Sequence, residues 1–224
     1  MGLRYFPVVC SLLPICAVHI CYWLAVQAGH LESCIPYLEG CTSISKTGRS
    51  PPEAIVFKGL MIPAFLLIGV YWMLMRHWLL FQGEVFRRSA NILMWLGIFS
   101  AGFLVLYGAS LGYYAEEYRM SRRLGVMVGF TAMLIAQLYE TGLLRQLASV
   151  DAAEIPEWVV RTKLALVGAI LAIGILSVIL DYTMDNYRQA PEDIIEWNFA
   201  LLLFSFYLPT AWLWKGFSLS ITRT

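Results

Sequence analysis

Long apolar blocks dominate the chain, and their length limits its folding options more than any other feature. Runs at 6–26, 55–75, 92–113, 124–144, 164–180 and 195–213 each approach the roughly 20 residues a helix needs to cross a hydrocarbon core about 30 Å thick. Hydrocarbon offers no partner to a backbone N–H or C=O, so only helices and closed barrels span it, and these runs lack the alternation of barrel strands. A water-facing surface is excluded by composition: 14% of residues are charged and 59% hydrophobic, against about 25% charged in soluble domains. The mean hydropathy is +0.67. The sequence thus predicts an all-α polytopic integral membrane protein, with six transmembrane helices in one bundle, a single membrane domain over 1–224 and a first loop at 27–54. The fifth run is the shortest and is expected to continue past its ends. Val26-Gln27-Ala28 resembles a signal-peptidase site, but the apolar stretch before it exceeds the roughly 7–15 residues of a signal core, so a retained first helix is expected. A net charge of +1 without a basic run gives no reason to expect a nucleic-acid partner.

Orientation follows from the basic residues. With a cytoplasmic N-terminus, nine Lys and Arg fall inside, Arg4, Arg76 and Lys163 among them, and seven outside, including Lys46, Arg119 and Arg188. This weak positive-inside bias places both termini in the cytoplasm; whether the membrane is the plasma membrane or an endomembrane is left open. Cys34 and Cys41 then flank IPYLEG in a loop facing an oxidising compartment, where a disulfide closing this small loop is expected. A redox centre would want a closer pair. Cys10, Cys16 and Cys21, within the first run, read as packing residues.

The most polar stretch, SISKTGRSPPE at 43–53, immediately precedes the second run. It reads as a turn and a helix start. Gly48 can take positive φ, Thr47 or Ser45 can bond nearby backbone, and Ser50 with Glu53 has capping-box spacing. Pro51 or Pro52 suits the first helical turn, and Glu53 opposes the positive end of the helix dipole. The same residues, Ile44, Ser45, Thr47, Gly48, Pro51, Pro52 and Glu53, resemble a first-loop motif of the FRAG/DRAM/SFK family of six-helix membrane proteins. Cys34 and Pro36 upstream resemble that family's first loop, and Glu196-Trp197 matches its acidic-aromatic pair in the last span. One departure stands out: many members carry a His at the head of the fourth helix, where this chain has Arg122 and Arg123 before Gly125. The resemblance implies roles around phosphoinositide-kinase recruitment, autophagy or GPI-anchor lipids.

Charges gather at the span ends on the side of the first loop. Glu53 and Lys58 are joined there by Glu116, Glu117, Arg119, Arg122 and Arg123, and by Asp181, Asp185, Glu192, Asp193 and Glu196. Two arrangements are open: interhelical ion pairs closing the bundle end, or a polar pocket where Arg49, Lys58 and Arg122, with Glu196 nearby, meet a lipid headgroup. At the other end, Gln137 could bond a neighbouring helix and Glu140 could reach the interface. Gly108 and Gly112 at the end of the third span, and Gly125 and Gly129 at the start of the fourth, could let those helices approach closely, and Pro14, Pro63 and Pro209 are expected to kink theirs.

Catalytic signals are thin. His19, His30 and His77 lie at different depths, so no metal site and no cofactor is expected. A hydrolase built on His30, Ser33 and Asp185 has no fixed geometry behind it. The expectation is a non-catalytic membrane protein that engages lipid headgroups or organises partners, with a protein partner reaching the cytoplasmic loops around Arg87–Arg88 or 147–158. The alternative is a lipid-remodelling enzyme or subunit acting on acyl chains at the outer interface.

Overall fold

The computed structural model describes residues 2–113, 116–149, 155–183 and 189–218, without the side chains of Glu116, Glu117, Asp181 and Gln189. Six helical stretches are long and apolar enough to cross a membrane. The crossings are α1 (Phe6–Gln27), α3 (Glu53–Gln82), α4 (Arg87–Ser110), α5 (Glu116–Ser149), α6 (Glu157–Thr183) and a broken last one made of α7 (Gln189–Ser205) and α8 (Thr210–Leu213). A short α2 (Pro36–Glu39) lies in the first loop. No strand occurs among the described residues.

Several helices exceed the apolar runs that announce them. At 34 residues, α5 is about 51 Å long by helical rise, well beyond a hydrocarbon core of about 30 Å. Hydropathy marks only the part inside hydrocarbon, whereas charged ends such as Arg119–Arg123 stay helical as they enter the polar interface. The fifth crossing likewise begins at Glu157, before the apolar run. This turns Lys163, counted above among flanking cytoplasmic charges, into a fully buried residue of α6.

At the centre stands α3. Phe57, Met61, Phe65, Ile68, Tyr71, Trp72 and Met75 are buried at three- and four-residue spacing and join one core cluster with α1, α4, α5 and α7. Helix α4 packs between α3 and α5, α1 lies against α3 and α7, and α6 rests on α5 and α7 as the least enclosed crossing. Cys10, Ala17 and Cys21 are fully buried, so α1 belongs to this core.

Glycine decides where α4 can sit. A Cβ on Gly97 would fall 2.1 Å from the Trp72 ring, so the largest side chain of α3 lies flat on a bare stretch of α4. The four glycines singled out in sequence divide their roles. Gly125 and Gly129 do bring α5 onto α4, since added Cβ atoms would meet the Phe103 carbonyl at 2.8 Å and Leu104 at 2.9 Å. Gly108 faces Ile62 and Phe65 of α3 instead, and Gly112, at φ +84°, forms the turn beyond α4.

The prolines also differ. Helices α1 and α3 continue through Pro14 and Pro63, while the last crossing breaks over 206–209 and resumes as α8. Gly97→Ala is expected to lower the thermal midpoint in detergent by the equivalent of about 1–3 kcal/mol of overpacking. Gly102→Ala, on the same helix with nothing within 4 Å of the added Cβ, should leave the midpoint unchanged or raised.

Candidate functional site

Two polar assemblies lie in the bundle, one deep within it and one at the end that carries the first loop. The first sits deep, at the broken end of the last crossing. Because Tyr207 N–H bonds to Phe204 O and Thr210 N–H to Tyr207 O, the carbonyls of Leu203 and Phe206 lose their helical donors. Gln137 Nε2 donates to Leu203 O at 2.9 Å and Lys163 Nζ to Phe206 O at 3.1 Å. Lys163 also pairs with Glu140 at 2.8 Å, both side chains fully buried. Tyr71 Oη donates into the same carboxylate and lies 2.9 Å from Thr210 Oγ1.

Gln137 thus makes the interhelical bond expected of it, but Glu140 does not reach the interface. An uncompensated carboxylate at that depth is costly, and the ammonium that compensates it comes from a helix the apolar pattern had cut short. Every charge here has a partner within the protein, so the assembly is a joint and not an open site.

The second assembly lies at the end of the bundle that carries the first loop, where three clamps hold the loop. Cys34 and Cys41 form the expected disulfide. Trp197 Nε1 donates to Thr42 O at 2.8 Å, while His19, Tyr22 and Tyr37 surround the indole at 5.6, 5.9 and 5.3 Å. Asn198 donates to Tyr37 O, and Gly40, at φ +61°, presses so close to Ala190 that a Cβ would overlap its carbonyl. His19 Nδ1 donates to Ile15 O, so its Nε2 accepts from Tyr37 Oη at 3.0 Å. Burial raises the Tyr37 phenol above its ordinary pKa and so favours the protonated form that makes this bond.

Residues 43–53 work differently from the capping box expected. Ser43, not Ser50, accepts Lys46 N–H and starts a 3-10 turn over Ile44–Gly48. Thr47 Oγ1 donates back to Ile44 O at 2.7 Å. Gly48 is not at positive φ; it is bare because a Cβ would strike the Phe57 ring at 2.5 Å. Pro52 occupies the N-cap of α3 without a side-chain bond, after a cis Pro51-Pro52 peptide. Glu53 is buried and bonds His30 at 2.7 Å instead of reaching back to Ser50. Sequence spacing suggested local capping, whereas the loop folds over and supplies a partner from 23 residues earlier.

This clamped loop meets α5 across a mouth of about 460 Å³, lined by Ser45, Arg49, Arg119, Arg122 and Arg123 above Tyr107 and Met127. Arg49 donates to Ser45 Oγ at 3.4 Å, and Arg122 donates to the Tyr113 carbonyl in the Gly112 turn. Beneath it lies an apolar cavity of about 280 Å³ that shares Tyr107, Val126 and Met127 with the mouth and reaches Phe130, Leu134, Ala200 and Phe204. Glu196 lines this lower chamber, where its Oε1 accepts the Ser45 N–H at 3.4 Å.

The four headgroup residues named from sequence are therefore not one cluster. Arg49 and Arg122 come together, Glu196 sits below them, and Lys58 lies apart with its ammonium 3.9 Å from the centre of the Tyr113 ring. Arg119 and Arg123 join the mouth, legible in sequence only as part of a helix-end charge run. Among the described residues, Lys46 pairs with the largely buried Asp193 at 3.6 Å, as an ion pair closing this end would require. The side chains of Glu116, Glu117 and Asp181, and the whole of Asp185 and Arg188, lie outside the described residues, as does Val150–Glu154 of the loop suggested for a partner. Among the described residues, no three His, Cys, Asp or Glu gather as a metal site would require.

Fold and site together define a six-helix integral membrane protein with an ordered, disulfide-tied first loop. The chain belongs to the family described as the Frag1/DRAM/Sfk1/Cwh43P N-terminal domain, whose model matches residues 2–216. No curated protein and no solved structure matches it.

If the deep assembly is a joint, Lys163→Met should destabilise the protein by about 3–5 kcal/mol, because it leaves Glu140 buried without a counter-charge. Adding Glu140→Gln should recover part of that loss. Thermal midpoints of the single and double variants in detergent provide the check.

Proposed function

We propose that this protein is a non-catalytic membrane protein that binds the phosphate of an anionic lipid at the mouth between its first loop and α5. Both termini lie in the cytoplasm and the mouth faces the opposite side. The observation that carries this reading is the convergence of Arg49 from the loop with Arg119, Arg122 and Arg123 from α5 on one pocket. Guanidinium groups are weakly hydrated and present forked donors that match phosphate oxygens, so they suit a headgroup at the membrane surface. Residues 44–53 and Glu196-Trp197 support the site from behind, by fixing the loop that carries Arg49. The family resemblance, which implies roles around phosphoinositide kinases, autophagy and GPI lipids, supports a lipid-binding role. The lipid-remodelling alternative has less support, since the His30 and His19 rings are engaged by Glu53 and by Ile15 and Tyr37.

Two measurements test the reading. Protein purified in mild detergent should retain an anionic phospholipid detectable by native mass spectrometry, and Arg49→Ala with Arg122→Ala should reduce retention by about tenfold or more, given the strength of charge-assisted phosphate bonds. Unchanged lipid content in that variant would exclude the mouth as the binding site. For orientation, a cysteine placed at Ser50 in sealed cells should react with an impermeant maleimide from the non-cytoplasmic side. Labelling from the cytosol alone would reverse the topology.

A further inference from the structure

The mouth does not end at the arginines. Its floor, formed by Tyr107, Val126 and Met127, is also the roof of the apolar chamber, so a polar and an apolar compartment share a wall. The chamber exists because α5 and α7 do not pack closely along their length. They meet through side chains deeper in the bundle, where Gln137 reaches Leu203 O and Phe130 faces Phe204 at 6.5 Å. Toward the loop end, the space between them is left to the chamber. Its lining runs from Val126 to Leu134 on α5 and from Glu196 to Phe204 on α7, a length of about 12 Å by helical rise. Met127 and Thr131 are exposed on the outer face of α5, which gives the chamber a side facing the surrounding lipid.

Glu196 is the anomaly in this lining. It is the one carboxyl group in a mostly apolar chamber, and its only hydrogen bond among the described residues is the long one from Ser45 N–H. A carboxylate has about four acceptor positions, so Glu196 retains acceptor capacity next to the junction of the two compartments. Cavity size adds a second restriction. At about 280 Å³ the chamber sits at the small end of ligand pockets, roughly 300–1,000 Å³, which suits one hydrocarbon chain and not two.

We propose that the site binds a lysophospholipid: the phosphate rests on the arginine mouth, the single acyl chain enters the chamber between α5 and α7, and the free glycerol hydroxyl donates to Glu196. This rests on the reading of the mouth as a phosphate site and narrows it to one class of lipid. A diacyl phospholipid has two chains for one slot, and its glycerol esters are acceptors with nothing to offer a carboxylate. A lysophospholipid resolves both mismatches. The head alone, such as glycerol 3-phosphate, would forgo the burial of its chain and bind far more weakly.

The test uses the full chain in phosphatidylcholine nanodiscs doped with equal mole fractions of oleoyl lysophosphatidic acid and dioleoyl phosphatidic acid, with retained lipid read by native mass spectrometry. Wild type should retain the lyso form over the diacyl form by about tenfold, since both the hydrogen bond to Glu196 and chain fit favour it. Millimolar glycerol 3-phosphate should fail to displace it. Glu196→Gln should reduce the preference for the lyso form several-fold. Ala200→Phe, which fills the chamber, should abolish retention of the lyso form. Thr131→Trp blocks the chamber from its exposed rim, so it provides the same readout should Ala200→Phe fail to fold.

Equal or greater retention of phosphatidic acid by wild type would overturn the proposal, as would binding of the lyso form that both chamber-blocking variants leave intact. In either case, loss of binding in Arg49→Ala with Arg122→Ala would show the mouth still acting as a phosphate site. Lyso binding indifferent to those arginines would refute both readings.

Discussion

The break in the last crossing places the hardest demand on the fold. A helix interrupted within a membrane frees carbonyls that lipid cannot satisfy, and each must find a donor inside the protein. Leu203 O finds Gln137, and Phe206 O finds Lys163. The lysine in turn needs Glu140, and the carboxylate takes a further bond from Tyr71. One interrupted turn thus fixes α3, α5, α6 and the α7–α8 junction relative to each other. Burial makes each partner depend on the other, since a charge left unpaired at that depth is costly.

Toward the loop end α5 and α7 line one cavity, which the first loop reaches through Ile44. The loop lacks the length or apolar content to hold itself in place, so its order comes from anchors. These are the disulfide, the aromatic cage around Trp197 and the bare glycines Gly40 and Gly48, which allow close approach to α7 and α3. Part of the 44–53 motif is turned inward by this arrangement. Thr47, Gly48 and Glu53 are buried, so they shape the loop and do not contact a ligand. Arg49, Pro51 and Pro52 are exposed, and Arg49 stands opposite the arginines of α5.

This division between support and contact explains how far the sequence could be read. Six crossings, the disulfide and the family were legible because each depends on local chemistry: stretches of uniform hydropathy, two cysteines at short spacing, and a motif of adjacent residues. Trp197 was legible as part of a motif, but its bond to Thr42 O, 155 residues away in sequence, was not. Lys163 was misplaced because hydropathy treats any charge as the end of a span, and only its pairing with Glu140 makes it tolerable inside one. Gly48 looked like a turn glycine and proved to be a contact glycine, since local sequence does not show that Phe57 will lie against it.

The sequence by itself determined that this chain enters a bilayer and how often it crosses, because transfer of apolar side chains into hydrocarbon depends on composition over about 20 residues and on nothing remote. Only the tertiary structure decided which charges pair with one another and which line a pocket. Glu140 and Lys163 neutralise each other, Lys58 lies over Tyr113, and the arginines share the mouth. Those outcomes depend on separations of a few ångströms between helices far apart in the chain, and Coulomb and hydrogen-bond energies change steeply over that range.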